Sequence, residues 1–190
     1  MNGRRIAVLA ALATLGAAAA AAPGSGAPPS LSDARLGPDG LGPVRLGMTV
    51  DQARAATSSK LRITQRNGSC AVLEQAGRYD GVYFILTDGV VRTATISSTL
   101  SVNFYNFTTK GLRLISPEKR VRQLYGKPFF TSPDANSGGV TMLYRPKPKV
   151  APKRRYAFGV APLGGGIIGR YVSDMTVGEL PEVRYSEACS

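Results

Sequence analysis

From residue 43 onward the chain changes its hydrophobic rhythm in a set order, and the order predicts short strands, two helices and tight turns. Val44-Arg45-Leu46 alternates with period two, as a strand does, and Gly47-Met48-Thr49-Val50-Asp51-Gln52 then opens a helix running to about Thr57. Thr49 occupies the N-cap position, Gln52 stands three residues on as in a capping box, and Asp51 faces the positive helix end. Four strand-like runs follow: Leu61 to Arg66, Ser69 to Glu74, Gly81 to Thr87 and Val90 to Ser97. Asn67-Gly68 and Asp88-Gly89 each separate two runs by two residues that tolerate positive φ, the strongest short-range hairpin signal. A two-residue turn at Asp88-Gly89 sets Leu86 opposite Val91, so Val82, Phe84, Leu86 and Val91 form the core row. Tyr83, Ile85, Val90 and Ile96 then fall on the other.

The second half begins in the same way. At a constant offset of 68, Val44-Arg45-Leu46 falls on Leu112-Arg113-Leu114, Ala53 on Val121 and Arg54 on Arg122. Ser116 is placed to cap a second helix with Pro117 at its first position, and Gly126 with Lys127-Pro128 stops it. Gly139 to Tyr144, Arg155 to Val160 and Gly166 to Val172 read as strands, with Gly164-Gly165-Gly166 as a turn. Aligning Phe84 with Phe158 needs an offset of 74, which implies about six inserted residues. The expected fold class is α+β, made of two related units, each a short helix packed on an antiparallel β-meander, over 43–100 and 101–190.

Ahead of these units, Arg4-Arg5, the apolar run Ile6 to Leu15 and the small residues Ala17 to Ala22 have the layout of a cleavable export signal over 1–22. The expected location is therefore secreted or associated with the cell envelope. Residues 23–42 are rich in Pro, Gly and Ser and read as a flexible linker. An exported chain with only Cys70 and Cys189 is expected to pair them in a disulfide. No membrane span is expected after signal cleavage, and the protein is expected to be a monomer.

Charge narrows the chemistry further. Of 24 Lys and Arg, Arg4 and Arg5 leave with the signal, so 22 remain against 12 Asp and Glu, a charge of about +10 that favours anionic partners. The chain has no histidine, which excludes Ser-His-Asp and Cys-His catalysis. The densest chemistry lies at 145–155, where Arg145, Lys147, Lys149, Lys153, Arg154 and Arg155 are interspersed with three prolines and no acid. That composition predicts an extended, exposed loop and a candidate anion-binding site, with specific nucleic acid disfavoured outside the cell. No cofactor and no metal are expected. Carboxylate catalysis needs two acids across a cleft, and the chain offers Asp51, Glu74, Asp80, Asp88, Glu118, Asp174, Glu179, Glu182 and Glu187 among others. Helix starts explain Asp51 and Glu118, and a turn explains Asp88. The expected role is noncatalytic binding at the envelope or outside the cell; the alternatives are a secreted protein inhibitor of an enzyme and a carboxylate-dependent hydrolase.

The segment from Gly42 to Ala53, with its Gly47-Met48-Thr49 helix opening, resembles two families of small exported bacterial proteins. They are the secreted β-lactamase inhibitor proteins and the outer-membrane assembly lipoproteins of the SmpA/OmlA type. The resemblance implies a helical layer on an antiparallel sheet, with two such units in tandem in the inhibitors. It also implies a disulfide inside each unit or an acylated cysteine after the signal, and this chain has neither arrangement of cysteines. The second half, from Thr109-Lys110-Gly111-Leu112 to Tyr185-Ser186-Glu187-Ala188-Cys189, is similar in layout to uncharacterised exported proteins of high-GC Gram-positive bacteria.

Overall fold

A computed structural model describes residues 26–76, 81–97, 108–134, 137–146, 152–163, 168–184 and 189. The expected signal over 1–22 lies outside the described residues. Three two-residue strands come first, β1 (Leu36–Gly37), β2 (Gly40–Leu41) and β3 (Val44–Arg45), and they pair antiparallel in that order. Helix α1 (Val50–Ala56) follows, then β4 (Leu61–Asn67), β5 (Cys70–Gln75), β6 (Val82–Thr87) and β7 (Val90–Ser97). The second half holds helix α2 (Glu118–Tyr125), then β8 (Phe130–Pro133), β9 (Val140–Tyr144), β10 (Arg154–Pro162) and β11 (Arg170–Glu179), and a 3-10 turn at Glu182–Arg184.

The eight longer strands form one antiparallel sheet in the order β4-β5-β6-β7-β11-β10-β9-β8. Each half is a four-stranded meander, and their last strands meet at the centre. Along that seam Met175 pairs with Ile96, Thr176 with Thr95 and Val177 with Ala94. The fold class is therefore α+β, dominated by antiparallel sheet. Within the sheet, two-residue connections leave little freedom of register. Thr87 pairs with Val90 around Asp88 (φ 53°) and Gly89 (φ 73°), the left-handed pair that a type I′ turn requires.

One face of the sheet carries the main core. Val82, Phe84, Leu86 and Val91 are buried there as the alternation predicts, together with Met142, Phe158, Val172, Met175 and Val177. Ala53 of α1 and Val121 of α2 pack into the same core, so both helices cover this face. Local chemistry explains α1: Thr49 accepts from the Gln52 amide and the Gln52 side chain accepts from the Thr49 amide, completing the capping box. The start of α2 differs from expectation. Pro117 is itself the N-cap residue, and the Ser116 hydroxyl accepts from the Arg113 amide instead. Gly126 ends the helix at φ 81°, as its position predicts.

Other departures have equally local causes. A bulge between Ile85 and Leu86 inserts Arg92 as an extra residue in β7, so Ile96 moves from the expected outer row to the core row opposite Val82. Asn67 pairs with Cys70, which makes Gly68 and Ser69 the turn residues, one position later than Asn67-Gly68. Leu112 and Leu114 enter the core from a loop and not from a strand. Strand β8 was not legible in the sequence, and β11 starts and ends later than the expected run Gly166 to Val172.

The linker expected over 23–42 is corrected for its described part. Leu31, Ala34, Leu36 and Leu41 are buried members of the main core, and β1 and β2 lie inside that range. Leu36 also forms a parallel bridge with Thr108, fixing the segment against the second half. Its few leucines suffice because they land on a core that the sheet and helices have already built.

Candidate functional site

Arginine, and not lysine, holds the acids of the described ion pairs. Asp39, in the turn between β1 and β2, pairs with Arg154 at the start of β10. Glu179 at the end of β11 faces Arg154 Nε at 4.0 Å and Arg92 at 3.5 Å. Glu118 at the start of α2 receives Arg122 from its own helix and Arg170 from β11, both at 2.7 Å. Burial alone would raise the Glu118 carboxyl, but hydrogen bonds from Arg122 and Arg170 outweigh it and hold the group below the ordinary carboxylate range. A planar guanidinium suits such sites because it donates several hydrogen bonds in a fixed fork.

The basic segment over 145–155 is divided along the same line. Arg154 belongs to the Asp39 and Glu179 network. Arg155 is only 9% exposed and donates to the carbonyls of Pro152 and Arg154 at 2.7 and 2.6 Å. Its guanidinium also lies 5.1 Å from the centre of the Phe129 ring, with that of Arg145 at 5.4 Å from the same ring. Lys153 is exposed, and Lys147 and Lys149 lie outside the described residues. Two of the six candidate anion-binding cations are thus spent on the fold, and the sequence carried no signal of it. The acids that hold Arg154 come from remote positions, Asp39 lying 115 residues away.

A second basic surface surrounds α2. Lys119, Arg120 and Lys127 are exposed, and Lys110 donates to the Leu124 carbonyl while its ammonium stands 4.7 Å from the Tyr125 ring centre. Next to the first turn of this helix rises the β10–β11 hairpin, because Pro117 bridges Tyr171 and Ile115 and Ser116 exchange backbone hydrogen bonds with Val172. Leu163 and Ile168 near the hairpin end are 42% and 95% exposed.

The opposite face of the sheet carries hydroxyl groups and the acids Asp174 and Glu74. The Thr95 and Thr176 hydroxyls lie 3.0 Å apart across the seam. Asp174 accepts from the Ser173 hydroxyl at 2.8 Å and leans over Gly159, where a Cβ would collide with its carboxylate. Burial pushes the Asp174 carboxyl above its ordinary value near 3.8, and it raises the Tyr83 phenol, with Asp174 adding to the effect. A carboxyl raised in the folded state favours folding while protonated and opposes it once ionised. Stability therefore falls as pH rises from about 3.8 through the folded value. Asp174→Asn keeps an acceptor for Ser173 and does not ionise, so its melting temperature relative to the parent is expected to climb between pH 3 and pH 7. A difference that stays constant over that range counts against the assignment.

The described parts of the C-terminal segment lie on this face. Val183 packs on Leu143 and Ala157, and Cys189 forms a disulfide with Cys70 and covers Val72 and Ile85. Among the described residues no helix is long and apolar enough to cross a membrane. The disulfide and the lack of such a helix are compatible with export. The chain has no significant match among family models, curated proteins or solved structures.

Proposed function

We propose that this chain is an exported, noncatalytic binding protein of the cell envelope or its surroundings, drawn to an anionic partner by surplus lysine charge. The observation that supports this most is that the described lysines stand outside the ion pairs. Asp39, Asp51, Glu118 and Glu179 are neutralised within the fold by arginines, whereas Lys60, Lys110, Lys119, Lys127 and Lys153 are all exposed and stand outside the described ion pairs. A compact, strongly hydrated ammonium on a flexible stem is suited to long-range attraction without fixed geometry.

We also read the two halves as related units. Gly47 and Met48 exchange hydrogen bonds with Val91, and Ile115 and Ser116 do the same with Val172, at the offset of 68. Thr49 bridges Val90 where Pro117 bridges Tyr171. Phe84 pairs with Leu73 and Ala94 where Phe158 pairs with Met142 and Met175. Such agreement in register supports a duplication, and the resemblance to tandem helix-plus-sheet proteins points the same way.

Retention of the exported protein on purified envelope at low salt tests the binding reading. Changing Lys119, Lys127, Lys147, Lys149 and Lys153 together to Ser is expected to lower retention at least about tenfold, since each cation near an anionic surface contributes roughly 1 kcal/mol. The melting temperature should hold, because no arginine pair is touched. Unchanged retention sinks the reading. Capture of one secreted enzyme, insensitive to salt and to these changes, favours the inhibitor alternative.

A further inference from the structure

We propose that the open edge of β8 takes an extended, acidic peptide segment as an added strand of the main sheet. This rests on the reading of an anionic partner and names polypeptide as that partner. The sheet has two borders, β4 and β8, with no described strand beyond either. An unpaired border is a template for another strand, and proteins guard it with charges, bulges or proline. Strand β4 is guarded twice. Arg62 and Arg66 are exposed along it, and a bulge between Ile63 and Gln65 interrupts its ladder. Strand β8 carries no charge from Phe130 to Pro133, and Phe129 and Phe130 at its start are 42% and 41% exposed.

The ladder decides what β8 presents. Asp134 donates to the Gly139 carbonyl directly opposite it, so alternation turns the backbone groups of Ser132 and Phe130 toward β9 and those of Thr131 and Pro133 outward. Proline has no N–H, so the border offers the Thr131 N–H and the carbonyls of Thr131 and Pro133. A guest strand running antiparallel exchanges both bonds of Thr131 with one of its own residues. Side chains give the guest its chemistry. Phe130 shares a face with Leu143 and Ala157, on which Val183 packs, so an apolar guest residue opposite Phe130 extends that cluster. At the same end the exposed Arg145 guanidinium stands 5.4 Å from the Phe129 ring centre and belongs to none of the described ion pairs. Lys127, just before Phe129, is exposed as well. Asp134 lies at the far end of β8, where the Ser137 hydroxyl donates to it at 2.6 Å. Positive charge therefore rises toward Phe129, and an antiparallel guest meets it with acids on its C-terminal side. The surplus of basic residues repels a second copy of the chain and favours an acidic strand instead.

Fluorescence anisotropy with a labelled peptide, Thr-Val-Thr-Val-Thr-Glu-Glu-Glu, tests this on the oxidised, exported protein. Saturable binding is expected below about 1 mM, weakening as salt rises. T131P removes the outward N–H and touches no bond to β9, so it is expected to weaken binding about tenfold at an unchanged melting temperature. R145S is expected to weaken binding several-fold and to flatten its salt dependence. Each border of a strand shows every second N–H, so N-methylating alternate peptide residues should abolish binding in one frame and spare it in the other. That comparison uses unaltered protein and is independent of how the variants fold. No binding up to about 1 mM, equal loss in both N-methylated frames, or T131P binding as the parent does overturns the proposal. Self-association that T131P abolishes also overturns it, because the border then belongs to a second copy. Retention on purified envelope alongside any of these results leaves the anionic-partner reading standing, whereas loss of retention as well overturns both.

Discussion

Replacing Cys70 and Cys189 together by Ser is expected to lower the unfolding free energy by about 4 to 5 kcal/mol. The bond joins residues 119 positions apart, and in the chain-entropy account a loop of that length strongly restricts the unfolded ensemble. Native contacts are lost as well. Cys189 lies against Val72 and Ile85, and Asn67 donates to the Cys189 carbonyl at 3.2 Å, so freeing the tail uncovers an apolar patch at the β5–β6 boundary. For a domain of this size, a loss of that order lowers the melting temperature by roughly 10 to 20 °C. Thermal melts of C70S/C189S against the oxidised parent provide the measurement. A drop of less than about 3 °C would show that the main core holds the fold without the bond. Where total stability is about 5 to 15 kcal/mol, the expected loss removes between about a quarter and all of it.

The parts of the fold that were legible in the sequence share a physical trait: their determinants lie within a few residues of one another. Thr49 and Gln52 satisfy each other across one helical turn, and Asp88-Gly89 fixes its hairpin with two dihedral-tolerant residues. Cys70 and Cys189 were an exception that counting resolved, since two cysteines allow one pairing. What escaped depended on partners far along the chain. The bulge at Arg92 leaves no mark in the alternation of β7, yet it decides that Ile96 faces the core. Leu31, Leu36 and Leu41 sit in a Pro- and Gly-rich stretch whose composition argues for flexibility, and only the surface they meet makes them core residues. The candidate site failed in the same way. Arg154 and Arg155 looked equivalent to Lys153, but Asp39, Glu179 and Phe129 draw the arginines into the fold and leave the lysine outside. Charge density identified a basic segment, and only tertiary structure says which charges remain available to a partner.

Phe158→Ala is expected to destabilise the protein by about 3 to 5 kcal/mol, the range for truncating a fully buried phenylalanine. Phe158 is 0% exposed, and its ring centroid lies 4.7 Å from that of Tyr125, 5.6 Å from Tyr144 and 5.8 Å from Tyr156. Truncation removes one ring from all three contacts, each worth about 0.5 to 1.5 kcal/mol beyond area burial. Neighbouring groups are poorly placed to fill the gap. Tyr125 is anchored from α2, and burial already pushes its phenol up to about 12, so a shift toward the cavity would drag a polar group further from water. The effect should also cross the seam. Phe158 pairs with Met175, Met175 pairs with Ile96, and Ile96 pairs with Val82, so one row of the core runs unbroken from β10 through β11 and β7 to β6. Loss in the second half therefore propagates to the first, and far-ultraviolet and tyrosine near-ultraviolet signals of F158A should melt together at one lowered temperature. Two separated transitions, or a cost under about 2 kcal/mol, would mean that the meanders unfold independently despite sharing a sheet.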